Sequence, residues 1–215
     1  AVKLPNKQTK YYKYTVANGE DGPILVTTRL TDLTKDVGSA TEKVLFKDLH
    51  DSSEVKGGAI YNSFKGGHNI YADFIGKYAS SGGAIYNKYG TIGDITGDFI
   101  GNYASVNSES ETAQGGAIFN SYATIGNITG DFIGNYAASE SGTAQGGAIF
   151  NNVGTIGDIT GDFIGNYAAS ESGIALGGAI VNVGGIIGNI TGDFIGNYAS
   201  VNSESRTAQG GAIFN

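Results

Sequence analysis

The sequence predicts an all-β fold, a right-handed parallel β-helix (solenoid) with a non-repetitive, strand-rich N-terminal cap. Three observations favour it. A core unit of 25 residues recurs along most of the chain, its apolar residues stand in short runs between turn-forming residues, and equivalent positions keep one residue type from unit to unit. The strict six-residue period that is typical of left-handed β-helices is missing.

Two motifs define the unit and stay in one register. Gly-Gly-Ala-Ile begins at Gly57, Gly82, Gly115, Gly146, Gly177 and Gly210. Asp-Phe-Ile-Gly begins at Asp73, Asp98, Asp131, Asp162 and Asp193. The interval from the first motif to the second is constant, so the variation in unit length lies after the second motif. Insertions confined to one place in each unit are typical of solenoids.

The longer units carry polar insertions at that place, such as Ser105 to Glu111 and Ala138 to Thr143, which we expect to form loops on one side of the stack. A longer period is also present, because the run from Ile95 to Ser110 recurs without change at 190–205. The chain ends at Asn215 within a sixth unit. We expect the natural protein to continue beyond it.

Short runs of Ile, Phe, Tyr and Thr between Gly, Asn and Asp predict strands rather than helices. One unit buries too few apolar side chains to offset the entropy of ordering its backbone, so the units must stack on one another. Strands of successive rungs would lie about 4.7–4.9 Å apart. Equivalent residues would therefore form ladders along the stack.

Alternation along the strand after Gly-Gly divides its side chains between inside and outside. The Ile of this motif never varies, so we place it inside. The next position holds Tyr61, Tyr86, Phe119 and Phe150 in the first four units, and this row, expected outside, is our candidate binding surface. The Asn that follows in every unit would stack at an inward turn and bond amide to amide.

Residues 1–56 do not repeat, and we assign them to an N-terminal cap that precedes the repeat domain at 57–215. Lys10 to Val16, Pro23 to Leu30 and Lys43 to Phe46 predict strands, with a turn from Asn18 to Gly22 between the first two. An open stack exposes the edge of its first rung, and such a cap would protect that edge.

Charge and composition exclude several kinds of site. Residues 57–215 hold four Lys/Arg and twelve Asp/Glu, so nucleic acid is an unfavourable partner. The chain has no cysteine, which removes disulfides, thiolate metal sites and cysteine nucleophiles. The two histidines lack a metal-ligand spacing, and no Gly-Lys-Ser/Thr marks a phosphate loop. We therefore predict no cofactor, no metal site and no catalytic residues.

Two further ladders leave alternatives open. The aspartates at 73, 98, 131, 162 and 193 would repel one another, and a weakly bound cation would relieve this, although Asp after Gly is also an ordinary turn-capping residue. The tyrosines at 78, 103, 136, 167 and 198 suit either a platform for sugars or a partner protein, or simple packing of ring on ring.

Tandem Gly-Gly-Ala-Ile alternating with Phe-x-x-Asn, as at Phe99 to Asn102 and Phe132 to Asn135, resembles the polymorphic outer-membrane proteins and related bacterial autotransporter passengers. The resemblance covers 57–215, and Lys77 departs from it where the other units have Asn. It implies a secreted right-handed β-helix at the bacterial outer-membrane surface, a C-terminal membrane barrel beyond this chain, and adhesion in virulence.

We therefore expect a non-catalytic cell-surface adhesin passenger that binds a host-cell or bacterial surface, protein or glycan, through repeated loops and faces. Many weak contacts along an extended stack would supply the affinity.

Two other functions are considered. A carbohydrate-active β-helix enzyme, a lyase or hydrolase, needs a unique pair of acid and base groups, whereas the carboxylates here recur in every unit. An ice-binding protein needs regular threonine rows. Thr91, Thr124 and Thr155 form one row and Thr96, Thr129, Thr160 and Thr191 another, but Gly185 interrupts the first and Tyr71 the second.

Overall fold

The structure is a computed structural model. It describes the strands at 2–3, 9–19 and 22–30 and the residues 56–106, 111–203 and 206–215. The chain divides into two compact units, Ala1–Leu49 and His50–Asn215.

The described part of the first unit is a small antiparallel sheet. Its strands are Val2–Lys3, Thr9–Gly19 and Gly22–Leu30. The second and third pair from Tyr11 opposite Leu30 to Gly19 opposite Gly22, which confirms the first two predicted strands and their reversal. The predicted strand from Lys43 to Phe46 and the central residues of the predicted turn lie outside the described residues.

The second unit consists of parallel sheets that run along a stack of rungs. Sheet A contains Ile60–Asn62, Ile85–Lys88, Ile118–Ser121, Ile149–Asn152, Ile180–Val183 and Ile213–Phe214. Sheet B contains Thr91–Ile92, Thr124–Ile125, Thr155–Ile156 and Ile186–Ile187. Sheet C contains Ile70–Tyr71, Ile95–Thr96, Ile128–Thr129, Ile159–Thr160 and Ile190–Thr191.

Three more sheets complete the described rungs. Sheet D contains Phe74–Ile75, Phe99–Ile100, Phe132–Ile133, Phe163–Ile164 and Phe194–Ile195. Sheet E contains Tyr78–Ala79, Tyr103–Val106, Tyr136–Ser139, Tyr167–Ser170 and Tyr198–Val201. Sheet F contains Thr112–Gln114, Thr143–Gln145, Ile174–Leu176 and Ala208–Gln209.

Pairing between rungs places equivalent residues of the repeat directly opposite each other. Ile118 pairs with Ile85 on one side and with Ile149 on the other. The same in-register pairing holds in all six sheets, from Phe99 opposite Phe132 to Tyr136 opposite Tyr167. The predicted parallel β-helix is therefore confirmed, and its described residues form no helix. Accordingly, that part of the chain offers no apolar helix of membrane-spanning length.

The core is made of ladders of one residue type. The Ile ladder of sheet A is interior as predicted, with Ile85, Ile118, Ile149 and Ile180 almost fully buried. The Phe rings of sheet D stack inside, with centroids 4.7 Å apart between Phe99 and Phe132 and planes within 1° of parallel. Spacing of this kind gives each ring a partner on both faces, which adds stacking energy to apolar burial.

The predicted amide ladder is present at the corner that follows sheet A. The Asn87 Nδ2 donates to Asn120 Oδ1 at 2.9 Å, and Asn120 Nδ2 donates to Asn151 Oδ1 at 2.8 Å. The chain of bonds runs without a gap through Asn62, Asn87, Asn120, Asn151, Asn182 and Asn215. Each buried amide thus satisfies its neighbours, which is the condition for keeping it in a core.

A second amide ladder lies between sheets D and E. Asn102, Asn135, Asn166 and Asn197 are joined by Nδ2 to Oδ1 bonds of 2.9 Å. In the first unit Lys77 takes the place of Asn, and only its backbone N–H reaches Asn102 Oδ1. Because Lys77 replaces Asn in the first unit, the ladder of side-chain amides begins at Asn102.

Parts of the polar insertions form strands, where the sequence predicted loops. They lengthen the strands of sheet E and supply the strands of sheet F, which the first unit lacks apart from single bridges at Lys56 and Ser81. Between the two sheets lies a separate apolar cluster of Val106, Ala113, Ala137, Ala144, Ala168 and Ala175. Alanine side chains fill the narrow space between these two sheets, which therefore enclose a small second core beside the main one.

Candidate functional site

The predicted binding row, Tyr61, Tyr86, Phe119 and Phe150, faces away from the main core as expected, but most of it is covered. Tyr86, Phe119 and Phe150 are buried in a cluster of their own with Leu176 of sheet F, whereas Tyr61 of the first rung is 59% exposed. The expectation that the whole row is exposed was therefore wrong. The chain turns at Gly-Gly between sheets F and A, and Leu176 of sheet F packs against this cluster.

Burial of this row gives one titration that can be measured. Desolvation, followed by repulsion from the tyrosinates that would form at Tyr61 and Tyr89, raises the pKa of Tyr86 to about 12. A raised pKa favours the neutral folded state below pH 10, and this contribution is lost as the pH rises from about 10 to 12. We expect Tyr86→Phe, which introduces the residue type found at Phe119, to raise the pH midpoint of alkaline unfolding, measured by circular dichroism. A pH midpoint unchanged by Tyr86→Phe would contradict the assignment.

The tyrosine ladder of sheet E is internally packed up to its last rung, where Tyr198 is 48% exposed. Its rings stack on one another, with 4.1 Å between the centroids of Tyr136 and Tyr167 and 4.6 Å between those of Tyr103 and Tyr136. The hydroxyl of Tyr136 is hydrogen-bonded to both neighbours, and burial raises its pKa. Because ring faces and hydroxyls are used within the ladder, packing explains it better than ligand binding does.

The aspartate ladder links successive rungs. The Oδ1 atom of each accepts the backbone N–H of the next aspartate along the stack, as at Asp131 N to Asp98 Oδ1, 2.9 Å, and Asp162 N to Asp131 Oδ1, 2.8 Å. A second row, which sequence reasoning missed, does the same with alternating residue types: Asn69, Asp94, Asn127, Asp158 and Asn189. Among the described residues, no three His, Cys, Asp or Glu side chains are grouped as metal ligands would be.

The threonine rows lie outside, on sheets B and C. Thr124 and Thr155 are exposed, and so are Thr96, Thr129, Thr160 and Thr191. One detail of the sequence interpretation was wrong. The residue that continues the first row is Ile186, which pairs with Thr155, and not Gly185. Tyr71 does interrupt the second row, opposite Thr96.

The exposed aromatic row that the structure does contain lies two residues beyond each Asn of the first amide ladder, at the corner between sheets A and B. We call Tyr89, Tyr122, Val153 and Gly184 the corner column, and Tyr89 and Tyr122 are 56% and 55% exposed. Phe64 of the first rung is 69% exposed but does not take the same place, because its carbonyl accepts from Thr91 N as that of Gly90 accepts from Thr124 N. The ring centroids of Tyr89 and Tyr122 are 5.9 Å apart and their planes are tilted by 32°, so the rings do not close on each other.

The backbone of the corner column is unusual for its side chains. The φ angles are +61° at Tyr89, +49° at Tyr122 and +49° at Val153, in the left-handed region that glycine adopts freely. Gly184 occupies the same place with φ +57°. A side chain there costs about 1–2 kcal/mol. These exposed rings recover little of that cost by burial, and retained strain of this kind is typical of functional sites.

The surroundings of the corner column are polar and rigid. Thr91 and Thr124 follow the tyrosines by two residues, and the Lys88 ammonium lies 5.2 Å from the ring centroid of Tyr89. Below the rings, Gly90 packs on the amides of Asn62 and Asn87. The backbone N–H groups of Tyr89 and Tyr122 donate to Ser121 O and Asn152 O, so the corner is fixed by the rung above.

Sequence reasoning missed this column although a signal was present. Position +2 after Asn holds aromatic residues in the first three units and glycine in the fifth. Glycine at one equivalent position is a sign of positive φ, a backbone conformation that aromatic residues rarely adopt. Comparison of the chain with protein-family models, with curated proteins and with solved structures gives no match.

Proposed function

We propose that the chain is a non-catalytic adhesin passenger of a bacterial cell surface, and that its corner column is a principal contact. The observation that carries this proposal is the set of exposed rings held in left-handed backbone at Tyr89 and Tyr122. A binding role explains why residues stand there that weaken the fold and bury little surface. The autotransporter type of the passenger and its place at the outer membrane rest on the resemblance of the repeat motifs.

The stack also suits display. Its rungs fix outward side chains at a regular pitch, so several weak contacts can engage one surface together and raise the avidity. The repeated carboxylates, by contrast, mostly serve as acceptors for backbone N–H groups. No feature of the described residues favours the enzyme alternative over binding.

A cell-binding assay tests the proposal. The purified chain, fluorescently labelled, is incubated with a panel of eukaryotic and bacterial cells and measured by flow cytometry. We expect saturable binding that falls at least about fivefold in the variant with Tyr89→Gly and Tyr122→Gly, because two ring contacts of about 0.5–1.5 kcal/mol each are lost. Tyr86→Phe, in the covered row, is the matched control and should bind normally.

Two results would count against this function. Absence of saturable binding to every cell type would remove the adhesin proposal. Normal binding by the double variant would leave an adhesin whose contact surface lies elsewhere than the corner column.

A further inference from the structure

We infer that the corner column binds a glycan chain that carries carboxylates, laid along the stack axis over Tyr89 and Tyr122. This inference rests on the proposed function and names the class of ligand for the same site. Shape, backbone pairing, side-chain chemistry and charge each contribute to it.

The shape of the site favours a narrow, linear ligand. The column is one side chain wide, since Gly90 and Ala123, which follow its two tyrosines, are buried in the corner. A stable protein interface buries about 800 Å² on each partner, which is more than two partly exposed rings, one above the other, supply. A polymer chain, in contrast, can follow a line of rings.

The backbone at the corner excludes an extended peptide that would add a strand. Such a peptide needs free N–H and C=O groups at a sheet edge. Here Tyr122 N donates to Asn152 O and Thr124 N donates to Gly90 O, so these groups are already paired between rungs. A ligand of the column must therefore be recognised by side chains.

The side chains suit a sugar. A pyranose has an apolar face of C–H groups and a rim of hydroxyls, and it needs an aromatic face beside polar partners. The tilted rings of Tyr89 and Tyr122 keep part of their faces open, unlike the parallel rings of the buried ladders. The threonines two residues on, Thr91 and Thr124, place hydroxyls in the next outward position of the same rungs.

Charge selects among sugars. Residues 56–93, which include Tyr89, hold four lysines and one aspartate, a net +3, whereas residues 94–215 hold one arginine and eleven carboxylates, a net −10. Lys88 adjoins Tyr89, and its ammonium lies 5.2 Å from the centroid of that ring. In the described part of the chain the Lys88 ammonium has no carboxylate partner. A uronate or similar acidic sugar would supply one at the cationic end of the column.

The glycine of the fifth unit provides the key variants. Tyr89→Gly and Tyr122→Gly remove a ring and also relieve the left-handed backbone, as in Gly184. We expect these variants to be at least as stable as the wild type, so loss of binding cannot come from unfolding. Val153→Gly relieves the same strain without removing a ring, and it is the control for a change of backbone alone.

Binding is measured by calorimetry with the full chain and four probes: polygalacturonate, hyaluronan fragments, neutral dextran and poly-L-glutamate. We expect the two uronate glycans to bind, about 3- to 10-fold more weakly for each tyrosine replaced and about 2- to 5-fold more weakly for Lys88→Gln, with affinity falling as salt is added. Val153→Gly should bind normally. Poly-L-glutamate, which lacks sugar rings, and dextran, which lacks carboxylates, should each bind at least about tenfold more weakly.

Three outcomes would overturn the inference. Equal binding of poly-L-glutamate would mean that charge alone acts, equal binding of dextran would remove the role of carboxylates, and unchanged uronate binding by Tyr89→Gly and Tyr122→Gly would remove the column.

A comparison on cells separates this inference from the proposed function. If cells treated with uronate-cleaving lyases still bind the chain but protease-treated cells do not, adhesion stands and the glycan ligand is wrong.

Discussion

Gly116→Ala should unfold the central rungs. A Cβ at this position would lie closer than 3.0 Å to the carbonyl oxygen of Gly147 and to the backbone N and O of Tyr136. These are backbone atoms held by ladders in two directions, so they cannot move aside as a flexible side chain would. We expect a loss of at least about 3 kcal/mol in the free energy of unfolding, a large share of the 5–15 kcal/mol typical of a domain. Urea denaturation followed by circular dichroism measures it.

Gly134→Ala is the matched control. Gly134 has φ +60°, but a Cβ there meets no atom within 4 Å, so the substitution introduces backbone strain without a clash. Its cost should stay near 1–2 kcal/mol. If the two variants were equally stable, close backbone approach at the second glycine of Gly-Gly-Ala-Ile would not be what holds this corner together.

Asn120→Ala should be nearly as damaging. Asn120 is fully buried, and its loss leaves Asn151 Oδ1 without its ladder donor, whereas Asn87 Nδ2 loses one acceptor and keeps Thr124 O at 3.1 Å. One unsatisfied buried acceptor costs about 1–3 kcal/mol and the further lost bond about 0.5–1.5 kcal/mol, so we expect about 2–4 kcal/mol in all. The thermal unfolding midpoint should fall accordingly, whereas Asn202→Ala, at an exposed position, should change stability by less than about 0.5 kcal/mol.

Asn120→Asp distinguishes the ladder from simple packing. A carboxylate keeps the shape of the amide but cannot donate to Asn151 Oδ1, and burial raises its pKa in the folded state. Only the protonated form can donate, so this variant should be more stable at pH 4 than at pH 7, with stability lost as the pH rises through the raised pKa. Stability that does not depend on pH between these values would show that the amide donor is dispensable.

The parts of the fold that follow from repetition were predictable from the sequence. An invariant Ile next to Gly-Gly-Ala and an invariant Asn two residues later can be assigned to the interior because every rung must bury and pair them in the same way. The core ladder through Ile118 and the amide ladder through Asn120 agree with that expectation. In-register stacking leaves little freedom once the period is known.

The cover over Tyr86, Phe119 and Phe150 could not be predicted in the same way. Alternation along a strand predicts which way a side chain points, but it does not predict whether the side chains of another sheet cover it. The polar composition of the insertions concealed sheet F, because its short alternating strands bury only alanines such as Ala113 and Ala144. The corner column was missed for a different reason, since its positive φ angles depend on how two sheets meet.

In-register stacking has a consequence for how such a chain can change in length. The identical runs at 95–110 and 190–205 each start with a strand of sheet C, Ile-Thr, at the same position within the rung. Unequal recombination between the two coding segments would add or remove 95 residues, a whole number of turns, and would join Ile-Thr to Ile-Thr without shifting any ladder. Such products would differ in reach while presenting the same local surface.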